Sequence, residues 1–278
     1  ILLILKSYYN YLEKLTIMCL FNLHTLKYPW KKFDIDFKKG IFLYFAGWLN
    51  ADEIKLLIEA YKNNLNQIIK WLLEQDGHFA FIIEDKNTIY LATDKVSSFP
   101  IYFCDYNNNK IEVSSSSSTW IDKDYVDDIS IENAEIYQMA GYTIGRSTIR
   151  KSVKRVLPGE LCIISKKRNS YEVNYKRYYI FFPDFKKNKR KLDFSKYYIE
   201  LDKVINKSIQ RLIYQANGRN IVLSLSSGFD SRLILGKLIE LKYENLICFS
   251  YGTKNNFEAL EAKKIADRVN VPWYFVSD

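Results

Sequence analysis

Short apolar runs separated by polar turns occupy residues 41–45, 79–83, 88–92, 99–103 and 110–113. Asp85-Lys86-Asn87 and residues 105–109 are brief polar connections, so these runs predict antiparallel hairpins. Between residues 51 and 75 the apolar positions Ile54, Leu57, Ile58, Tyr61 and Leu65 follow helical spacing instead. The stretch 141–164 extends the same half, with Leu157-Pro158-Gly159 as a turn and 160–164 as a further strand. This half reads as α+β.

The period then changes. Tyr198, Leu201, Ile205, Ile209 and Leu212 recur at three- to four-residue steps and predict a helix with one apolar face. Strands follow at 221–225, 246–250 and 273–276, alternating with helices at 231–241 and 257–269. Strand, helix, strand, helix, strand predicts a parallel sheet with right-handed crossovers. Between the halves, the run 186–191 carries five basic residues in six and reads as an exposed linker. A phosphate-neutralising nucleic-acid patch is the competing reading, and no nucleic-acid motif accompanies it.

Composition adjusts this picture only at the edges. A chain of 278 residues suits two domains, and 48% hydrophobic with 26% charged residues lies in the globular range. The longest charge-free stretch is about a dozen residues, short of the roughly 18 that a membrane span needs. Cysteines at 19, 104, 162 and 248 are too scattered for a disulfide framework and lack zinc spacing, which points to a reducing cytoplasm. The apolar opening 1–5 has neither the basic region nor the cleavage site of a secretory signal, and Met18 is the first methionine. His24 and His78 read as structural residues, and the serines 114–118 as a polar turn or edge strand. The net charge of +9 needs no nucleic acid if an anionic small molecule is bound.

The segment Leu225-Ser226-Ser227-Gly228-Phe229-Asp230-Ser231 joins the first strand of the second half to its helix. Ligands of open parallel sheets bind beyond the carboxyl ends of the strands, where a helix N-terminus presents unpaired N–H groups and partial positive charge. Small residues allow an anion close to that backbone, and serine hydroxyls add donors. The loop has neither the Gly-Lys-Ser/Thr ending of a Walker motif nor Gly-x-Gly-x-x-Gly. Asp230 would repel a polyphosphate unless a divalent cation lay between them, which argues for Mg²⁺. The alternative is that Ser227, Asp230 and Ser231 simply cap the helix.

These residues resemble the Ser-Gly-Gly-x-Asp-Ser pyrophosphate loop of the N-type ATP pyrophosphatases, and their surroundings resemble glutamine-hydrolysing asparagine synthetase. Phe249-Ser250-Tyr251-Gly252 is similar to that family's Phe-Ser-x-Gly strand. In the first half, Gly77-His78-Phe79-Ala80-Phe81, Leu91-Ala92-Thr93-Asp94, Phe99-Pro100-Ile101-Tyr102-Phe103, Gly141-Tyr142 and Val156-Leu157-Pro158-Gly159-Glu160 resemble successive segments of its glutaminase domain. The shared order extends over residues 41–278. The resemblance implies an α+β N-terminal-nucleophile-like sandwich domain followed by a truncated α/β domain with a parallel sheet (PP-loop ATPase). The implied division is an extension over 1–17, a class II glutamine amidotransferase-like domain over 18–180, a basic linker over 181–194, and the start of a pyrophosphatase domain over 195–278. The implied activity is an amide ligase that adenylates aspartate or a related carboxylate with ATP and Mg²⁺, then amidates it with ammonia from glutamine or solution. A homodimer is the implied assembly.

Carried over by position, Leu225 and Tyr251 would contact adenosine through backbone and packing, Ser226, Gly228 and Ser231 would hold pyrophosphate, and Asp230 would hold Mg²⁺. Cys19 would be the nucleophile, exposed if translation starts at Met18 and that methionine is removed; the alternative for Cys19 is a core residue. Gly47 would belong to the oxyanion hole.

Departures accompany these matches. Ser227 replaces a glycine of the loop, tolerable only where φ is not positive. Ala46 replaces an asparagine whose amide would complete the oxyanion hole, a loss of about 10²–10³ in rate. No Arg-Gly-Pro-Asp segment lies between Phe21 and Gly40, and no glutamine-binding aspartate is recognisable over 51–75. An impaired glutaminase half is expected. Rival readings are a related ligase acting on another small molecule in cell-surface or natural-product biosynthesis, and a non-catalytic ATP-binding or RNA-binding protein.

Overall fold

The computed structural model describes residues 21–23, 29–106, 110–120, 128–168, 170–182 and 194–277. Two compact units divide the chain, Ile1–Phe182 and Pro183–Asp278.

The first unit is built on two sheets. Strands β1 (Phe21–Leu23), β2 (Lys31–Asp36) and β3 (Ile41–Gly47) lead into helices α1 (Ala51–Asn63) and α2 (Leu65–Glu74). There follow β4 (Phe79–Glu84), β5 (Thr88–Thr93), β6 (Tyr102–Tyr106), β7 (Lys110–Ser114), helix α3 (Ile131–Ala140), β8 (Val153–Arg155), β9 (Glu160–Lys166) and β10 (Tyr171–Arg177). One sheet has the order β10-β9-β5-β4-β3-β2 and the other β1-β7-β6-β8. All pairs of the first are antiparallel, while β1 runs parallel to β7 in the second.

Alternation along β4 explains how the layers stack. Phe79, Phe81 and Ile83 join Leu57, Ile68, Trp71 and Leu72 in a core between the six-stranded sheet and the two helices. Ala80 and Ile82 face the other way, into a core shared with Phe103, Ile111 and Val113 of the four-stranded sheet. Both faces of β4 are therefore covered, and its unbroken apolar run reflects that.

The structure alters several expected elements. The helical stretch 51–75 is two helices, because Asn64 is fully extended and its side chain accepts from the Gln67 N–H, capping a new start. The strand expected at 99–103 begins at Tyr102 instead. Pro100 has no N–H for a ladder, and the Val96 and Ser98 N–H groups turn back to the Asp94 carboxylate. Edge strands β2 and β10 and helix α3 add to the expected set; α3 buries no residue and so carries no apolar stripe.

The second unit begins with α4 (Phe194–Ala216), followed by β11 (Ile221–Ser224), α5 (Phe229–Glu240), β12 (Leu246–Gly252), α6 (Phe257–Arg268) and β13 (Trp273–Ser277). The three strands are parallel, in the order β11-β12-β13. Leu246 and Cys248 pack with Ile209, Leu235, Leu238, Ala262 and Ala266 of the helices. On the opposite face Val222, Tyr251, Tyr274 and Val276 are exposed. Lys237 ties α5 to Asp202 of α4 at 2.7 Å.

Candidate functional site

The motifs of the first unit converge at one end of the six-stranded sheet, where β3 and β5 finish and β4 and β9 begin. Asp94 is the centre of that end and is 1% exposed. Its carboxylate accepts the N–H groups of Phe79 at 2.9 Å, Val96 at 2.8 Å and Ser98 at 3.2 Å. Its carbonyl accepts the Gly159 N–H at 2.8 Å. The Tyr178 hydroxyl donates to the Thr93 carbonyl at 2.6 Å, and the Thr93 hydroxyl to the Leu157 carbonyl at 2.7 Å. Burial, reinforced by the nearby Asp94 charge, raises the pKa of Tyr178 above the usual phenol value. The buried Glu160 carboxylate receives Arg146 through two donors, and the same guanidinium lies 3.8 Å over the Tyr175 ring. The hydrogen bond from Arg146 to Glu160 holds the arginine's pKa above its ordinary value. Motif reading named Asp94 and Glu160 without assigning them partners; their burial was the missing information.

Gly47 lies at the same sheet end, opposite Phe79. Its φ is +138°, and a Cβ there would fall 2.4 Å from the His78 carbonyl oxygen. Glycine is therefore required on two grounds, dihedral and space. The Trp48 N–H donates to the His78 carbonyl at 3.1 Å, and Ala46, fully buried opposite Ala80, has no side-chain donor. His78 is exposed, with Nδ1 2.5 Å from the Ser98 hydroxyl, which satisfies one ring nitrogen. Asn50, beyond Gly47, caps α1 in a reciprocal pair with Glu53, each bond 2.8 Å. Cys19, Met18, His24 and the basic run 186–191 lie outside the described residues.

In the second unit the loop after β11 is braced from within. Ser226 and Ser231 hydroxyls are 3.0 Å apart, the Ser226 N–H donates to Ser231 Oγ at 3.1 Å, and the Gly228 N–H donates to Ser226 Oγ at 3.1 Å. Gly228 is the N-cap of α5, and no side chain caps that helix. The capping alternative for Ser227, Asp230 and Ser231 is thus overturned: Ser226 and Ser231 brace the loop, and Asp230 stands exposed in the first turn. Ser227 is absent from the positive-φ residues, so its Cβ brings no left-handed strain in place of glycine.

Leu225 is placed differently from Tyr251. Its side chain is buried in the helix-covered core, its N–H donates to the Phe249 carbonyl, and its own carbonyl accepts from the Ser250 hydroxyl at 2.7 Å. Tyr251 is exposed on the other face, and the Leu225 backbone is tied to the two residues that precede it, Phe249 and Ser250. Ser250 receives the Trp273 indole N–H at 3.0 Å, which makes it a buried tie between strands. Among the described residues no group of three His, Cys, Asp or Glu forms a metal cluster. A single exposed carboxylate at a helix start fits Mg²⁺ that arrives on a nucleotide, since such ions keep phosphate and water ligands.

Comparison with known proteins bears on the first unit. Residues 50–179 match a glutamine amidotransferase domain. The match begins after Gly47 and takes in α1, α2, the Asp94 cluster and the Arg146–Glu160 pair. No curated protein matches the chain. Similar solved structures include glutamine phosphoribosylpyrophosphate amidotransferase from B. subtilis complexed with ADP and GMP, at 14% identity and a TM-score of 0.31, covering 88% of this chain and 47% of that one. Another is described as the allosteric regulatory enzyme of purine biosynthesis, at 14% identity and a TM-score of 0.28, covering 86% of this chain and 45% of that one. The chain thus spans under half the length of either. Among the described residues no helix is long and apolar enough to cross a membrane.

Proposed function

We propose that the chain belongs to an amide ligase, in which a glutamine amidotransferase-like domain accompanies ATP-driven activation of a carboxylate and ammonia is drawn from glutamine or from solution. The observation carrying this reading is the amidotransferase match over residues 50–179 on a chain that also holds a serine-braced, uncapped helix start after a parallel strand. In the proposed reaction a carboxylate oxygen of an aspartate-like substrate attacks the α-phosphorus of ATP and pyrophosphate leaves. Ammonia then attacks the acyl carbon, AMP leaves with the C–O bonding pair, and the surplus proton passes to solvent. In this reading Ser226, Gly228 and Ser231 would turn the donors that now brace the loop onto the pyrophosphate, and the uncapped first turn of α5 would add backbone N–H groups, positioning it and stabilising developing charge. Asp230 would ligate Mg²⁺, whose charge offsets that of the phosphates when it is bound.

For the ammonia supply, Ala46 weakens the case for efficient glutamine hydrolysis. We assign free ammonia as the better nitrogen source and Cys19 as the residue to test for residual glutaminase activity. The decisive assay is ATP–pyrophosphate exchange with the full-length gene product and aspartate or other carboxylates. Carboxylate-dependent exchange that disappears in Asp230→Asn, with the fold unchanged, supports the reading; no exchange with any carboxylate overturns it.

A further inference from the structure

The first unit contains a cavity that the amidotransferase reading does not use. It occupies about 370 Å³ on the outer face of the four-stranded sheet, away from the core shared with the six-stranded sheet. Tyr102 of β6 and Val153 and Arg155 of β8 form its floor, Tyr137 of α3 one wall, and Tyr142 and neighbouring loop residues the rest. That volume lies in the range of small-molecule sites, which are apolar with a few placed polar groups.

The charged side chains described around the cavity have one sign. Among the described residues Arg150 and Arg155 line it, and no aspartate or glutamate does. Arg155 is already fixed, with Nε donating to the Gly145 carbonyl at 2.6 Å and Nη2 to the Thr143 carbonyl at 2.7 Å. Both partners are neutral carbonyls, so the guanidinium keeps its positive charge and has donors left over. A cation immobilised before binding loses little side-chain entropy when it takes a ligand. Three tyrosines around it supply aromatic surface.

We propose that this cavity binds a small planar organic oxyanion, its ring against the tyrosines and its carboxylate or phosphate on Arg155. The anionic group is recognised by the prepaid geometry of the guanidinium, and the ring distinguishes the ligand from inorganic anions.

Calorimetric titration of the full chain with benzoate, phenyl phosphate, benzyl alcohol and inorganic phosphate tests this. Benzoate, phenyl phosphate or both should bind with Kd below about 1 mM, and benzyl alcohol and inorganic phosphate at least tenfold more weakly. The tighter of the two ring-bearing anions identifies the head group as carboxylate or phosphate. Arg155→Gln should weaken the anions about tenfold, in line with loss of one charge-assisted hydrogen bond, and leave benzyl alcohol unchanged. Because Arg155 also ties down the loop at Thr143 and Gly145, Ser117→Trp provides an independent arm by filling the rim. It should abolish binding of every probe at an unchanged melting temperature. Benzyl alcohol binding as tightly as benzoate, or anion binding that survives Ser117→Trp, would overturn the proposal.

Discussion

Replacing Gly47 with alanine tests whether the end of β3 is set by backbone geometry. At φ +138° an alanine costs about 1–3 kcal/mol in strain alone. Its Cβ would also lie 2.4 Å from the His78 carbonyl oxygen and 2.7 Å from Phe79 Cα, both backbone atoms where the chain enters β4. Overpacking of this kind adds about 1–3 kcal/mol, so the sum is about 2–6 kcal/mol. Gly77 provides an internal control, with φ +131° and nothing within 4 Å of its added Cβ. Gly77→Ala should therefore cost the strain alone. Urea unfolding followed by tryptophan fluorescence reads both variants. Placing them in a Trp273→Phe background leaves only the tryptophans of the first unit, at 30, 48, 71 and 120. Equal destabilisation by the two substitutions would refute the steric argument, and a loss below about 0.5 kcal/mol for Gly47→Ala would refute both parts of it.

Three further outcomes are expected. Arg146→Met should destabilise the first unit by about 3–5 kcal/mol, because Glu160 would be left buried without its cation; Arg146→Met with Glu160→Gln should recover part of that in the same urea assay. Asp94→Asn should cost about 1–3 kcal/mol, since its NH₂ would face a backbone N–H where an oxygen now accepts, and hydrogen exchange at Phe79, Val96 and Ser98 should accelerate. Cys248 is fully buried, and burial pushes its thiol from 9.0 up to about 11. The neutral thiol is favoured in the fold, so this contribution is complete below pH 9 and is lost as pH rises through about 11. Cys248→Ala should flatten that alkaline decline, and an unchanged slope in pH-dependent melting would refute the assignment.

The elements readable from sequence were those with one dominant periodicity. Ile221, Leu223, Leu246 and Cys248 alternate cleanly, and α4 carries its apolar face at regular steps, so the second unit's order of elements matches the expected one. Strand β4 was legible for the opposite reason, being apolar on both faces. Lys31–Asp36 alternates too, yet its charged residues at an edge hide the strand. Helix α3 buries nothing, so no stripe marks it. At the candidate sites, the serine loop was legible as a local string, and its internal bracing between Ser226 and Ser231 is five residues long. The Asp94 cluster joins residues far apart in the chain, which no local pattern encodes. Leu225 and Ser250 illustrate the same limit, since the hydrogen bond that ties them closes a separation of 25 residues.

The ties around Asp94 also have a kinetic meaning. Strands β5 and β9 are neighbours in the six-stranded sheet, yet all of β6, β7, α3 and β8 lies between them in the chain. The Thr93–Leu157 and Thr93–Tyr178 hydrogen bonds close separations of 64 and 85 residues. Such closures cost chain entropy before any contact returns it, so pairing of β9 with β5 belongs late in folding. Three strands of the four-stranded sheet, β6, β7 and β8, lie within that closure, and β1 precedes it. Neither sheet is therefore an independent folding module, and the first unit should acquire its two sheets together, slowly and in a single cooperative step.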